Sequence, residues 1–168
     1  SNFADLIYEF GEERRSRRIA RAIVRARPIK STAHLAQVIS AAARPMKQAR
    51  GKGIHPATLT FQAIRIYVNH ELEDLRALLK SAPQVVKPGG RLVVISFHSL
   101  EDRMVKDTIR DGAREGVWEP LMKKPLIAGD EEIAENSRAR SAKRVESSSR
   151  VSQVPTRICI GGKPRRSA

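Results

Sequence analysis

Apolar residues recur at helical spacing through the first half of the chain. Phe3 to Phe10 reads as a short helix, and Gly11-Glu12-Glu13 opens a second, Glu12 to Arg27, with acids near its positive end and Pro28 closing it. At about 100° per residue, Ile19, Ile23 and Ala26 fall on one side of that helix. Arg14, Arg18, Arg21 and Arg25 fall in a narrow stripe on the other. Ser31 or Thr32 is placed to cap a third helix, which carries Leu35, Val38, Ile39 and Ala42 at helical spacing and ends near Arg44-Pro45. A basic, glycine-containing loop, Lys47 to Gly53, leads to His55-Pro56, where proline suits a first helical turn. From Ala57 to about Leu79 the pattern is helical throughout, with Phe61, Ile64, Val68, Leu72, Leu75 and Leu79 as its inward seam and Asn69 as a candidate break. Gln62 and Arg65, one turn apart, are candidates for an internal polar pair.

Lys87-Pro88-Gly89-Gly90 then turns the chain into Leu92-Val93-Val94-Ile95, which reads as an interior strand, apolar on both faces through Phe97. It leaves through "SFHSLEDR", Ser96 to Arg103, an unusual gathering of titratable groups at one strand end. A helix start from about Leu100 to Asp111 accounts for part of it. Ser99-x-x-Asp102 is a capping-box variant, with Asp where Glu or Gln is usual, and Glu101 and Asp102 complement the helix dipole. Ser96, His98 and Arg103 are left unexplained by that account. Carboxyl ends of strands in open α/β sheets face the ligand crevice, so the same residues also qualify as the edge of a site. Beyond Gly112, Val117 to Ile127 holds candidate short strands broken by Pro120 and Pro125, and Asp130 to Asn136 is an acidic helical stretch. From Arg138 onward nine Lys and Arg stand against the single Glu146, among serines and glycines, which reads as a basic, partly disordered tail.

Composition narrows the class. At 168 residues and 40% hydrophobic, the chain suits one globular domain with a core. One cysteine, Cys159, the lack of a charged-then-apolar leader and the lack of a membrane-length apolar run point to a soluble, cytoplasmic protein. The net charge of +14 calls for a polyanionic partner, and nucleic acid and an anionic membrane surface share that signature. The arginine stripe is then either a solvated helix face or a nucleic-acid contact, and the global charge favours contact. With only 4% aromatics, base stacking is not evident, so backbone and shape contacts have to dominate.

Several chemistries are excluded. Gly51-Lys52-Gly53 is neither a phosphate loop nor a dinucleotide fingerprint, and no nucleophile elbow occurs. His34, His55, His70, His98 and Cys159 are scattered without metal-ligand spacing. Ser96 and His98, two apart on a strand, share a face, but nothing supplies the orienting acid or the oxyanion donors that a nucleophilic pair needs.

Four stretches, "YEFGEERRSRRIARAIV", "HPATLTFQAIRIYVNHELEDL", "KPGGRLVVISFHSLEDRMVK" and "EEIAENSRARSAK", resemble the bacterial small-subunit ribosomal RNA (cytosine-N4)-methyltransferase family, which depends on S-adenosylmethionine. The resemblance runs from Tyr8 to about Lys143. It implies an α/β fold: a helical, substrate-recognising insert over residues 1–53, the carboxyl-terminal part of a Rossmann-like class I methyltransferase domain over 54–146, and a basic tail over 147–168. It implies methyl transfer to N4 of a decoding-region cytidine in 16S rRNA, with small-subunit rRNA or the small ribosomal subunit as partner. Ser96, Phe97, His98 and Ser99 become pocket-wall candidates, and Arg14, Arg18, Arg21, Arg25, His55, Arg103, Arg138 and Arg140 become RNA-contact candidates. His55 also fits a plain helix-start role.

In that family the glycine-rich cofactor loop, the acidic ribose partner and the motif beside the target amine precede the region matching Tyr8. No residue here is therefore assigned to the cofactor or to a metal, and the chain alone is expected to be inactive. Leu59 stands where the family usually has arginine, and "SAKRVESSSR" is shorter than the family's final strand. A non-catalytic RNA-binding module and an inactive fragment are the competing readings. Loss of sheet neighbours would leave Leu92 to Phe97 with an unpaired edge, which predicts self-association.

Overall fold

The computed structural model describes residues 2–43 and 55–150. The basic loop Lys47 to Gly53, the third helix's end at Arg44-Pro45 and the chain beyond Arg150, Cys159 included, lie outside the described residues. The chain divides into two compact units, Ser1–Glu73 and Asp74–Ala168. The helix that follows the basic loop packs on the first helix of the chain, which places it in the first of these units.

The first unit is helical: α1 (Phe3–Gly11), α2 (Ser16–Arg25), α3 (Thr32–Ala43) and α4 (Thr58–Asn69). Asn2 caps α1 through a capping box with Asp5. Glu12 closes α1 in the left-handed conformation, at φ 51°, so α2 starts at Ser16 and not at Glu12. The two acids therefore lie in the connection, where Glu13 Oε1 accepts the Arg15 N–H at 2.8 Å. Ser31 caps α3, its Oγ accepting the His34 N–H at 3.1 Å. Ile7, Ile19, Ile23, Ile39 and Ala63 form the core, with Leu35, Val38 and Ala42 packed against it. Each fully buried isoleucine contributes about 1.5–3 kcal/mol. α1 and α4 approach closely at Gly11, where an added Cβ would lie 2.6 Å from the Leu59 carbonyl oxygen.

The helix expected from Ala57 to Leu79 is two helices. His70 takes the left-handed conformation, at φ 54°, and separates α4 from α5 (Glu71–Val85) one residue after Asn69. Arg65 clamps the break from outside, donating to both Glu71 carboxylate oxygens at 2.8 and 3.0 Å while Asn69 donates to the same group at 3.2 Å. Gln62 bonds elsewhere, to the Phe10 carbonyl at 3.2 Å, so it does not pair with Arg65. The break also resets the helical frame. α4 buries Thr60, Ala63 and Ile66, and Val68, expected in the seam, is 65% exposed. Leu72 and Leu79 of α5 are buried as expected.

The second unit continues with β1 (Arg91–Ser96), α6 (Ser99–Arg114), β2 (Trp118–Pro120), β3 (Leu126–Ile127), α7 (Asp130–Glu135), a 3-10 turn (Ser137–Ser141) and β4 (Lys143–Ser149). β4 is the centre of the sheet: β1 pairs along one side, β2 and β3 along the other, all antiparallel. Leu79, Val105, Ile109 and Val145 form its core, with Leu92 and Val94 packed against them. Mixed helices and sheet agree with the expected α/β class.

Two expectations about this unit fail. β1 is not an interior strand buried on both faces: Leu92, Val94 and Ser96 face the core, while Val93 and Ile95 are exposed. Among the described residues only β4 pairs with it. The chain from Arg138 to Ser149 is not a tail, because it supplies the 3-10 turn and the central strand, and β4 runs past the expected boundary at residue 147. Hydrogen bonds close the strand's end, Ser149 N–H to the Gly90 carbonyl at 2.9 Å and Gly89 N–H to the Ser149 carbonyl at 2.8 Å.

Candidate functional site

At the exit of β1 the backbone stays extended through His98 before α6 begins. His98, not Ser99, is the N-cap. Its Nδ1 accepts the Glu101 N–H at 3.4 Å, while Glu101 Oε2 accepts the Phe97 and His98 N–H groups at 2.8 and 3.3 Å. The capping box is therefore His98/Glu101, one residue earlier than the Ser99/Asp102 box expected from sequence. A ring nitrogen can accept as a serine hydroxyl does, and Glu101 is the usual reciprocal partner. The imidazole is 7% exposed. Its Nε2 lies 3.2 Å from Glu101 Oε1 but off the donor direction, so it has no aligned acceptor among the described residues. Burial alone would raise the Glu101 pKa; the His98 side chain and the two backbone donors outweigh it and hold the carboxyl below its usual range.

Asp102 belongs to the sheet contact and not to the cap. Its Oδ2 accepts from Lys106 Nζ at 2.7 Å and from Lys143 Nζ of β4 at 3.0 Å. Burial would raise this carboxyl too, and the two lysines outweigh it, so the net shift is downward. Ser96 is buried and donates to the Lys143 carbonyl at 3.4 Å. That bond replaces the Ser96/His98 couple which a nucleophilic mechanism would need. Phe97 and Ser99 are exposed. The four pocket-wall candidates thus divide into two side chains committed to the fold, Ser96 and His98, and two that face solvent. The clefts of about 460, 710 and 330 Å³ among the described residues are not lined by them.

The cationic residues are arranged more suggestively. Arg18, Arg21 and Arg25 are exposed along α2, and Arg14 is exposed in the turn before it. With α1 they border two adjoining clefts. One, of about 460 Å³, is lined by Tyr8, Arg14, Arg18 and Arg21 among others; the second, of about 710 Å³, by Arg21 and Arg25. Arg17 and Asp5 line both. Arg17 escaped the sequence reading because it lies outside the four-residue stripe, although its i, i+4 relation to Arg21 was available. Tyr8, exposed beside these guanidinium groups, adds an aromatic face. Arg15 differs, since its guanidinium donates to the Ala43 carbonyl and closes α2 on α3.

His55 takes the helix-start role: its Nδ1 accepts the Ala57 N–H at 3.2 Å and its carbonyl the Thr58 N–H at 2.9 Å. Its ring is nonetheless exposed. Arg103 is exposed on α6, and Arg138 and Arg140 are exposed on the 3-10 turn that Asn136 caps. Among the described residues no helix is long and apolar enough to cross a membrane.

Helices carrying an arginine-lined face and an antiparallel sheet covered by helices define a basic α/β protein. Residues 1–147 match the MraW methylase family, and the chain belongs to it. Three curated relatives are each called ribosomal RNA small subunit methyltransferase H. That of Koribacter versatilis is 71% identical over 140 residues, 83% of this chain and 44% of the relative. That of Acidobacterium capsulatum is 68% identical over 83% of this chain and 46% of the relative. That of Sorangium cellulosum is 55% identical over 83% and 44%. The chain spans less than half the length of these relatives.

Proposed function

We propose that this chain is the RNA-gripping part of an S-adenosylmethionine-dependent methyltransferase that methylates N4 of a decoding-region cytidine in 16S rRNA, acting in the cytoplasm. The observation that carries the reading is the exposed row Arg18, Arg21 and Arg25 with Arg14 and Arg17 around two adjoining clefts, on a chain of net charge +14. Guanidinium groups bind phosphate bidentately and tolerate any base sequence, which suits positioning of a folded RNA. An exocyclic cytosine amine is a weak nucleophile because its lone pair is conjugated with the ring. Catalysis at N4 therefore depends on holding the base in place more than on a strong base. In this reading the helices up to residue 53 act as the substrate-recognising insert, and residues 54–146 close the catalytic domain.

The buried polar side chains at the strand exit do not fit S-adenosylmethionine, because the fold itself uses them. At the strand exit His98 Nδ1 and Glu101 are used by the helix cap, the Ser96 hydroxyl by the Lys143 carbonyl, and Asp102 by two lysines. No step through the cofactor is assigned to them. The same engagement favours a second reading, a module that binds rRNA without chemistry of its own.

Titration of a fluorescent 16S rRNA decoding-region fragment between 50 and 200 mM salt tests the RNA reading. About five phosphate contacts would give a log–log slope of roughly −3.5 to −4.5. A flat affinity would overturn it. A longer form of the chain that carries a glycine-rich cofactor loop, offered tritiated S-adenosylmethionine with the same RNA, separates the two readings: labelled RNA supports the methyltransferase part, and unlabelled RNA the non-catalytic module.

A further inference from the structure

Away from the strand exit and from α2, the second unit has a cleft of about 330 Å³ between α6 and the segment joining β2 to β3. Its floor is apolar: Ile109 and Val145 are buried and Met122 is half-buried. Its lining includes five cations and no acid. Three of the cations have acidic partners, Lys106 with Asp102 at 2.7 Å, Arg110 with Asp107 at 2.8 Å and Arg114 with Asp111 at 3.7 Å. The other two, Lys123 and Lys124, are exposed and have no partner among the described residues. They do not sit on a loose loop. β2 and β3 both pair with β4, and the Leu121 N–H donates to the Glu146 carbonyl at 3.1 Å, so the segment is tied to the central strand at both ends.

An apolar floor beside two unpaired ammonium groups suits a ligand with a flat, weakly polar body and an anionic group next to it. An unpaired nucleotide has that form. A base in a duplex is stacked on both faces and cannot enter, whereas a splayed base of single-stranded RNA can. A thioether makes favourable contact with an aromatic ring, and lysine binds phosphate as a point charge. The volume falls in the range of about 300–1,000 Å³ usual for ligand clefts. We propose that this cleft receives one unpaired RNA nucleotide, its base over Met122 and its phosphate at Lys123 and Lys124. The inference rests on the rRNA reading above and adds to it a second contact, separate from α2.

The test uses the whole 168-residue chain and a 4-thiouridine-bearing single-stranded RNA oligonucleotide. Photo-crosslinking followed by peptide mass spectrometry is expected to label a peptide containing Met122. Lys123→Ala/Lys124→Ala, at exposed positions that leave the core intact, is expected to weaken binding roughly tenfold and to reduce the salt slope by about 1.4, two single-strand phosphate contacts. Crosslinks confined to α1 and α2, with the double variant binding as the parent does, would overturn the inference and leave the rRNA reading standing. Absence of salt-dependent RNA binding by the parent chain would remove both. Retention on phosphatidylserine vesicles that requires Lys123 and Lys124, with RNA binding intact, would also overturn it, in favour of a membrane contact.

Discussion

Asp102 and Lys143 lie 41 positions apart in sequence and 3.0 Å apart in the fold, and their contact ties α6 to the central strand β4. The carboxylate is buried, whereas Lys143 and Lys106 keep about two-fifths of their side chains in water. The pair therefore acts less as a buried ion pair than as an anchored carboxylate with two solvated donors. Asp102→Ala is expected to cost about 1–2 kcal/mol, below the usual penalty for splitting a fully buried pair, because the remaining lysines stay hydrated. Urea unfolding of the two proteins measures it.

The same carboxylate sets an acid limit. Its pKa is lower folded than unfolded, so its stabilisation is complete above the unfolded value of about 3.9 and is lost as pH falls through the folded value. Glu101 shifts in the same direction and adds to the effect just above that range. Melting temperature should be level from pH 7 to about 5 and fall below about 4. Asp102→Asn should lower the plateau and make the acid fall shallower. An acid limb of unchanged steepness in that variant would contradict this account.

His98 is expected to behave as a cap. His98→Ala should cost about 1 kcal/mol, and His98→Asn, which restores a good N-cap acceptor, should recover most of it. Thermal melts of the three proteins decide the matter. Equal losses in both variants would show that the buried ring, and not its Nδ1 acceptor, is what the fold uses.

Gly112 faces Trp118, which is 2% exposed. A Cβ at Gly112 would overlap the indole Cδ1. Helix propensity alone predicts that Gly112→Ala stabilises α6 by roughly 0.5–1 kcal/mol. Packing should reverse the sign, to a loss of about 1–3 kcal/mol, because the buried indole would have to shift to admit the added methyl. Near-ultraviolet circular dichroism of the single tryptophan would report the displaced ring directly.

β1 presents one open edge among the described residues, with Val93, Ile95 and Phe97 exposed beside it. Such an edge pairs with a second copy unless something covers it. Light scattering is expected to show concentration-dependent self-association of the chain, and Ile95→Lys should suppress it. A clean monomer over a wide concentration range would contradict the expectation.

The helical elements were legible because each carries its own apolar period, as Leu35, Val38 and Ile39 do in α3. The pattern does not give the seam of α4 because one left-handed residue, His70, restarts the frame, and a non-glycine in that conformation leaves no trace in the hydrophobic pattern. β4 reads as tail in the sequence because its core face consists of Val145, Ser147 and Ser149, while Arg144, Glu146 and Ser148 alternate with them. Two serines among three inward positions erase the apolar signal of a strand, although the strand is the centre of the sheet. At the strand exit the sequence shows the gathering of titratable residues, but the shift of the cap from Ser99 to His98 depends on the extended backbone of His98, which composition does not encode.

The central claim is that the α2 face grips RNA phosphates. Fluorescence anisotropy with the decoding-region fragment, comparing the parent with Arg18→Ala/Arg21→Ala/Arg25→Ala, tests it most directly, since these exposed side chains can be removed without touching Ile19 or Ile23. The account predicts an affinity loss of at least about tenfold and a salt slope shallower by about 2, three phosphate contacts. Equal affinity and equal slope in the two proteins would contradict it.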